Sequence, residues 1–268
     1  MIEYRKIQSN GNNFLLLNNL SLSYSSAALS KMAKRDCDVK KGIGADGILA
    51  IEPSEKSDFK MRIINANGFE SEMCGNGARC VALYMFEQGK TGSQMSFETL
   101  AGEIRANVTG NTVKITMGTY SISGISEGHK DGIGYQFMQL GVPHVVIFQE
   151  DNQVYSLEEM RKVGRNFDTD HVLFSNGTNI NFVKKLSVDQ IEVITYERGV
   201  EDITDSCGTG SCASAVLASK RYKMNSPVDV KNIGGINRVY FIEEDQQVEV
   251  FLEGKVYYSG YIKCDPLK

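Results

Sequence analysis

Two short stretches set a thiol in the same surroundings: Cys74-Gly75-Asn76-Gly77 and Cys207-Gly208-Thr209-Gly210. Each leads into a run that reads as a helix apolar on most sides, Ala78 to Gln88 and Ser211 to Tyr222. The cysteine is therefore expected at a helix N-terminus, where unpaired backbone N–H groups and the positive end of the helix dipole gather. That placement predicts a thiol pKa below the ordinary value of about 8.5. The glycines let backbone amides approach a ligand closely, which suits a carboxylate. Two such thiols across one carboxylate suit inversion of the stereocentre beside it. One thiolate takes the α-proton from one face, the other thiol delivers a proton to the opposite face, and the reverse reaction exchanges the roles. The amides would stabilise the charge that develops as the proton leaves. One Cys-Gly-x-Gly could simply turn a strand into a helix; two copies point to paired chemistry.

The chain also repeats itself around these cysteines. The offset that carries Cys74 onto Cys207 carries Gly44-Ala45-Asp46 onto Gly177-Thr178-Asn179 and Ala101-Gly102 onto Gly234-Gly235. Three matches in one register across half the chain indicate two similar halves in tandem. The first repeat is taken as residues 1–118 together with 256–268, the second as 119–255. Short alternating strands dominate both: Phe59 to Ile64, Glu103 to Val108 and Val113 to Met117 in one, Gln190 to Tyr196, Arg238 to Ile242 and Val248 to Leu252 in the other. A helix apolar nearly all round is buried. The expected fold is α/β (α+β), with two pseudo-symmetric domains. Each is a curved, mostly antiparallel β-sheet or barrel wrapped around one central helix. Outer helices are expected at Leu157 to Asn166, where Ser156 and Glu159 form a capping box, and at Ala27 to Lys34.

Composition narrows the partners. The 268 residues are 41% hydrophobic and 23% charged, enough for two buried cores, and the net charge of −4 comes from both signs spread along the chain. No basic stripe points to nucleic acid and no polybasic helix to a membrane surface, so a small molecule is the expected partner. Charges in Met1-Ile2-Glu3-Tyr4-Arg5-Lys6 argue against a signal peptide, and no apolar run approaches the roughly 20 residues of a membrane span. A cytoplasmic location, where thiols stay reduced, is expected. None of the six cysteines forms a C-x-x-C pair, so no metal site is expected. No residue pattern suggests pyridoxal phosphate, and no cofactor is expected.

A set of further stretches resembles the diaminopimelate epimerase family over essentially the whole length. They are Gly11-Asn12-Asn13-Phe14, Gly42 to Gly47 (GIGADG), Asn65-Ala66-Asn67-Gly68, Met73 to Arg79 (MCGNGAR), Gly141-Val142-Pro143-His144, Thr178 to Val183 (TNINFV), Glu197 to Asp202 (ERGVED) and Ser206 to Gly210 (SCGTG). In order and together they are highly specific. The resemblance implies an active site in the cleft between two domains, with Cys74 and Cys207 as the acid–base pair. It implies Glu197 and His144 beside the reacting centre, and Asn12, Asn65, Asn179 and Arg198 on the substrate, with Glu197 also in contact with it. The backbone of Gly75-Asn76 and Gly208-Thr209 would cradle the carboxylate. Taken without the resemblance, His144 could be a structural histidine, Asn65 and Asn179 turn residues, and Arg198 and Glu197 a surface charge pair. His129 and His171 match nothing and are taken as structural. There are departures: Asn13 stands where the family usually has Asp, Ile203 and Asp205 replace the commoner residues before the second cysteine, and Val142 stands where many members have an Asn that helps recognise the distal end of the substrate.

The implied activity is interconversion of LL- and meso-diaminopimelate, in lysine and peptidoglycan precursor synthesis. Another amino acid as substrate on the same fold is the alternative. A thiol redox protein with a regulatory disulfide is the reading from a different class. A homodimer is compatible with the sequence.

Overall fold

The computed structural model describes residues 1–150 and 154–266. The chain divides into two compact units, Met1–Thr116 with Gly254–Lys268, and Met117–Glu253. Four helices occur among the described residues: α1 (Ser26–Asp36), α2 (Gly75–Glu87), α3 (Leu157–Asp168) and α4 (Gly208–Tyr222).

In the first unit the strands lie in the order Tyr257–Cys264, Ile2–Ser9, Asn12–Asn18, Gly47–Glu52, Phe59–Asn65, Gln94–Thr99, Gly102–Thr109 and the first part of Thr112–Ser121. In the second the order is Ser126–Lys130, Ile133–Leu140, Val142–Phe148, Asn179–Lys185, Gln190–Glu197, Val228–Asn232, Gly235–Glu244 and the first part of Gln247–Lys255. Both follow the same sequence of pairings: two antiparallel, one parallel, one antiparallel, one parallel, two antiparallel. Each sheet is thus mostly antiparallel, as expected, with two parallel pairs, and it is open where a closed barrel was one of the two forms anticipated. The parallel pairs have a simple cause. A parallel partner needs a crossover, and each such pair here is joined through a helix, α1 and α2 in the first unit, α3 and α4 in the second.

Each sheet is covered on both faces. The central helix α2 is buried from Gly75 to Met85, and α4 from Gly210 to Ser219. On the other face α1 seats Leu29, Met32 and Ala33 on Leu15, Leu17, Ile48 and Ala50. Helix α3 seats Met160 and Phe167 on Val145, Ile147, Ile180 and Phe182. Both-sided burial explains why Phe14–Leu17 and Gly47–Glu52 are buried at consecutive positions and not alternately. Helix α3 starts with the expected capping box between Ser156 and Glu159. Its Gly164 lies so flat on Tyr196 that an added Cβ would come within 2.3 Å of the ring.

The sheet registers refine the internal repeat. Gly47 faces Asn65, whereas Ile180 faces Tyr196, which brings Asn179 to the corresponding place beside Glu197. Asn179 therefore matches Gly47, and Glu197 matches Asn65. The offset that superposes the cysteines had put Asn179 on Asp46. The connection from Glu197 to Cys207 is one residue longer than that from Asn65 to Cys74, and this absorbs the slip.

Candidate active site

Both motif cysteines are the N-caps of the central helices. Cys74 caps α2 with extended backbone (φ −145°, ψ 116°), and Cys207 caps α4 in nearly the same conformation (φ −106°, ψ 116°). Helical continuation after an extended residue is what leaves the first-turn amides pointing past the thiol. The Gly210 N–H donates to Cys207 Sγ at 3.4 Å, and Thr209 Oγ1 lies 3.5 Å from the same sulfur. Cys207 is buried and Cys74 partly buried; all six cysteines are present as thiols. The remaining cysteines differ in character. Burial, with the charges of Asp36 and Asp46, pushes the Cys37 thiol up to about 12; burial also raises Cys80 and Cys264. A raised pKa leaves less thiolate, so these three thiols are the poorer nucleophiles.

The first unit holds a directed chain of hydrogen bonds behind Cys74. Arg79 is fully buried and can only donate, so its contact with Asn76 identifies the Asn76 oxygen. Asn76 Nδ2 then donates to Asn12 Oδ1 at 2.6 Å, and Asn12 Nδ2 donates to Asp46 Oδ2 at 3.2 Å. Arg79 Nε and Nη2 also reach Ser9 Oγ at 3.1 and 2.9 Å, and Ser9 Oγ donates to the Lys255 carbonyl. Two of the expected substrate ligands, Asn12 and Asn76, are thereby joined and their amides oriented. Asn65, at the end of its strand, donates through Nδ2 to Ser71 Oγ at 2.7 Å.

In the second unit three neighbouring strands present His144, Asn179 and Glu197 at one end of the sheet, with His144 directly beside Asn179. Asn179 Oδ1 accepts from the Arg198 backbone N–H at 2.9 Å, and Arg198 Nη1 donates to the Asn176 carbonyl at 2.7 Å. Arg198 lines a groove of about 390 Å³ with Val142, Pro143, Phe174, Asn176 and Gly177. A groove of about 420 Å³ elsewhere in this unit, near Asp189, Lys223 and Arg238, contains none of the candidate residues. Burial raises the Glu197 carboxyl above the usual carboxylate range, opposed by a 3.0 Å hydrogen bond from Thr204 Oγ1.

His144 is fully buried, and burial together with the Arg198 charge lowers its pKa to about 3. An unfolded chain takes up a proton here below about pH 6.5, and the folded chain refuses it down to about pH 3. Stability from this residue is therefore lost as pH falls through that window. Between about pH 7 and pH 5 the loss should be about 2 kcal/mol. Urea unfolding of the wild type and of His144→Gln across this range should show the wild type falling more steeply by that amount; parallel curves would contradict it.

Three residues that the sequence reading gave no role complete the arrangement. Asn181 shares a strand face with Asn179 and bonds to His144, to the Val145 carbonyl and to Thr195. Arg79 and Asp46 hold the two ends of the chain in the first unit. The available signals were Arg79, a charge inside an otherwise apolar helix that must be paired, and the i, i+2 pattern of Asn179 and Asn181. Packing then ties α4 to Asn181. A Cβ added to Gly210 would lie 2.3 Å from Asn181 Oδ1 and 3.2 Å from Cys207 Sγ. Gly→Ala inside a helix ordinarily stabilises by up to about 1 kcal/mol. Here we expect the reverse: Gly210→Ala should destabilise by roughly 1–3 kcal/mol through overpacking. It should also lower activity by displacing Asn181 or the thiol. A more stable variant with full activity would contradict the contact.

Solved structures share this architecture at low identity. A phenazine biosynthesis protein of the PhzF family from Bacillus anthracis superposes with a TM-score of 0.73 at 14% identity, covering 97% of this chain and 98% of that one. A hydroxyproline epimerase from Agrobacterium vitis superposes with a TM-score of 0.68 at 13% identity, covering 97% and 90%. The chain thus has the two-domain, sheet-dominated fold that these proteins share. The family model for diaminopimelate epimerase matches residues 4–123 and 136–259. Diaminopimelate epimerases from Caldanaerobacter subterraneus and Aquifex aeolicus are 37% and 36% identical, over 95% and 96% of this chain and 96% and 95% of their own lengths. This chain belongs to the diaminopimelate epimerase family, and it is an isomerase. No helix among the described residues is long and apolar enough to cross a membrane.

Proposed function

We propose that this chain interconverts LL- and meso-diaminopimelate, with Cys74 and Cys207 as the two acid–base groups. The observation that supports the reading most directly is the repetition of one device: a thiol at the N-cap of the central helix of each unit, followed by Gly-x-Gly. Inversion needs a base on one face of the α-carbon and an acid on the other, and two equivalent thiols can exchange those roles. In one direction a thiolate takes the α-proton and the opposite thiol gives its proton to the same carbon. The product leaves with the thiol and thiolate exchanged.

The amides of Gly75-Asn76 and Gly208-Thr209 would receive the α-carboxylate and stabilise it as it gains enolate character. His144 and Glu197 would stand beside the reacting centre. Asn12, Asn65, Asn179 and Arg198 would bind the remaining polar groups, with Glu197 also contacting substrate. This chemistry asks for no metal and no cofactor, and the reactant is a small amino acid. The location proposed is cytoplasmic, as suits reduced catalytic thiols. Residues 1–118 with 256–268, and 119–255, are proposed as the two epimerase domains.

Chiral chromatography of purified protein with LL-diaminopimelate, lysine and other mono-carboxylate amino acids tests the reading. Conversion of LL-diaminopimelate toward a mixture with the meso isomer is expected. Faster racemisation of a mono-carboxylate amino acid would transfer the assignment to another substrate on the same machinery.

A further inference from the structure

The two ring nitrogens of His144 are in different situations. Among the described residues Nε2 is buried and has no hydrogen-bond partner. Nδ1 lies 3.2 Å from Asn181 Nδ2, and the same amide nitrogen lies 3.0 Å from the Val145 carbonyl oxygen. A backbone carbonyl only accepts, so the Asn181 atom facing it must be the nitrogen. Thr195 Oγ1 donates to Asn181 Oδ1 at 2.9 Å and holds the other end of the amide. With one amide hydrogen on Val145, the second points to His144 Nδ1, which therefore accepts. A neutral imidazole whose Nδ1 accepts carries its proton on Nε2.

We infer that Asn181 is a positioning residue that locks His144 in the Nε2–H tautomer, so that His144 acts at the reacting centre as a hydrogen-bond donor to an anion and not as a base that ionises a thiol. The inference rests on the proposed function for what the reacting centre is. The proton balance agrees with it. One proton passes from the α-carbon to a thiolate and one passes from the opposite thiol to the α-carbon, so none has to cross the imidazole. Burial and the charge of Arg198 keep the ring neutral, the condition for a fixed tautomer. A buried N–H left without an acceptor is unfavourable, and an anionic substrate atom would remove that cost on binding. The contact between Gly210 and Asn181 Oδ1 places this amide against the first turn of α4, so the lock and the Cys207 cap share one packing unit.

The test is the nitrogen spectrum of the full chain labelled with 15N-histidine. Only His129, His144 and His171 contribute, and His144→Gln assigns the relevant signals. His144 should show an unprotonated Nδ1 and a protonated Nε2, unchanged from about pH 5 to about pH 9. Asn181→Asp offers Nδ1 an acceptor, and the proton should move to Nδ1. Turnover number should then fall by roughly 10²–10³-fold, the effect of losing one aimed donor, with a much smaller change in KM. The wild-type spectrum decides the matter even if that variant does not fold. A proton on Nδ1, or titration near the ordinary histidine value, would overturn the inference. If diaminopimelate is converted while the tautomer is wrong, this inference alone falls. With the tautomer as stated and no conversion, the lock stands and the functional reading falls.

Discussion

Cys74→Ala and Cys207→Ala are each expected to abolish epimerisation, lowering turnover by roughly 10³-fold or more, and the double variant should be scarcely worse than either. The reason lies in the stoichiometry of inversion. A lone thiolate can remove the α-proton, but it can return one only to the face from which it came. Retention of configuration is then the sole outcome, and the product isomer does not form. Each single variant should therefore still exchange the α-hydrogen of one isomer with solvent deuterium, slowly and without inversion. Chiral chromatography together with mass spectrometry in D2O separates the two events. A single variant that kept more than a few per cent of inversion would show that the two thiols are not the pair. The variants should fold, since Cys74 is partly exposed and makes no side-chain capping bond, and Cys207 is a small N-cap whose sulfur accepts a weak 3.4 Å bond.

Substrate choice should show an effect of similar size. Diaminopimelate carries a second carboxylate that lysine lacks. A site whose buried polar groups expect that carboxylate should disfavour lysine by as much as roughly 10⁴-fold in kcat/KM. Arg198 is the residue we propose for the contact. Its Nη1 is held on the Asn176 carbonyl, which fixes the plane of the guanidinium along a groove that also includes Val142. A planar fork held in this way matches a carboxylate, whereas a lysine ammonium is a point charge with different reach. Arg198→Lys should thus cost a large part of kcat/KM although the charge is retained. Val142 offers no hydrogen bond at its position, which places more of the recognition on Arg198, Asn65 and Asn179. Kinetics of wild type and Arg198→Lys on both amino acids check the point. An unaltered preference in the variant would remove Arg198 from recognition of the distal end.

Much of this protein was legible along the chain because the relevant physics is local. A cysteine before Gly-x-Gly and an apolar run announces a capped, buried helix, and that is where Cys74 and Cys207 lie. The capping box at Ser156 and the alternating strands are local signals of the same kind. Their repetition was enough to indicate two matching halves. The sequence alone could not set the register between strands, which depends on how many residues each connection needs. Hence Asn179 matches Gly47 and not Asp46, and Glu197 takes the place of Asn65. Nor could it place the two parallel pairs within each mostly antiparallel sheet. The positioning residues were visible as letters without roles. Asn181 orients His144 only because a parallel strand sets the Val145 carbonyl and the His144 ring against one amide. Arg79 orients Asn76 and Asn12 only because the turn at Ser9 comes back onto α2. Hydrogen-bond direction, and with it the tautomer of a buried histidine, follows from contacts between residues distant in sequence. Such contacts exist only once the chain has folded.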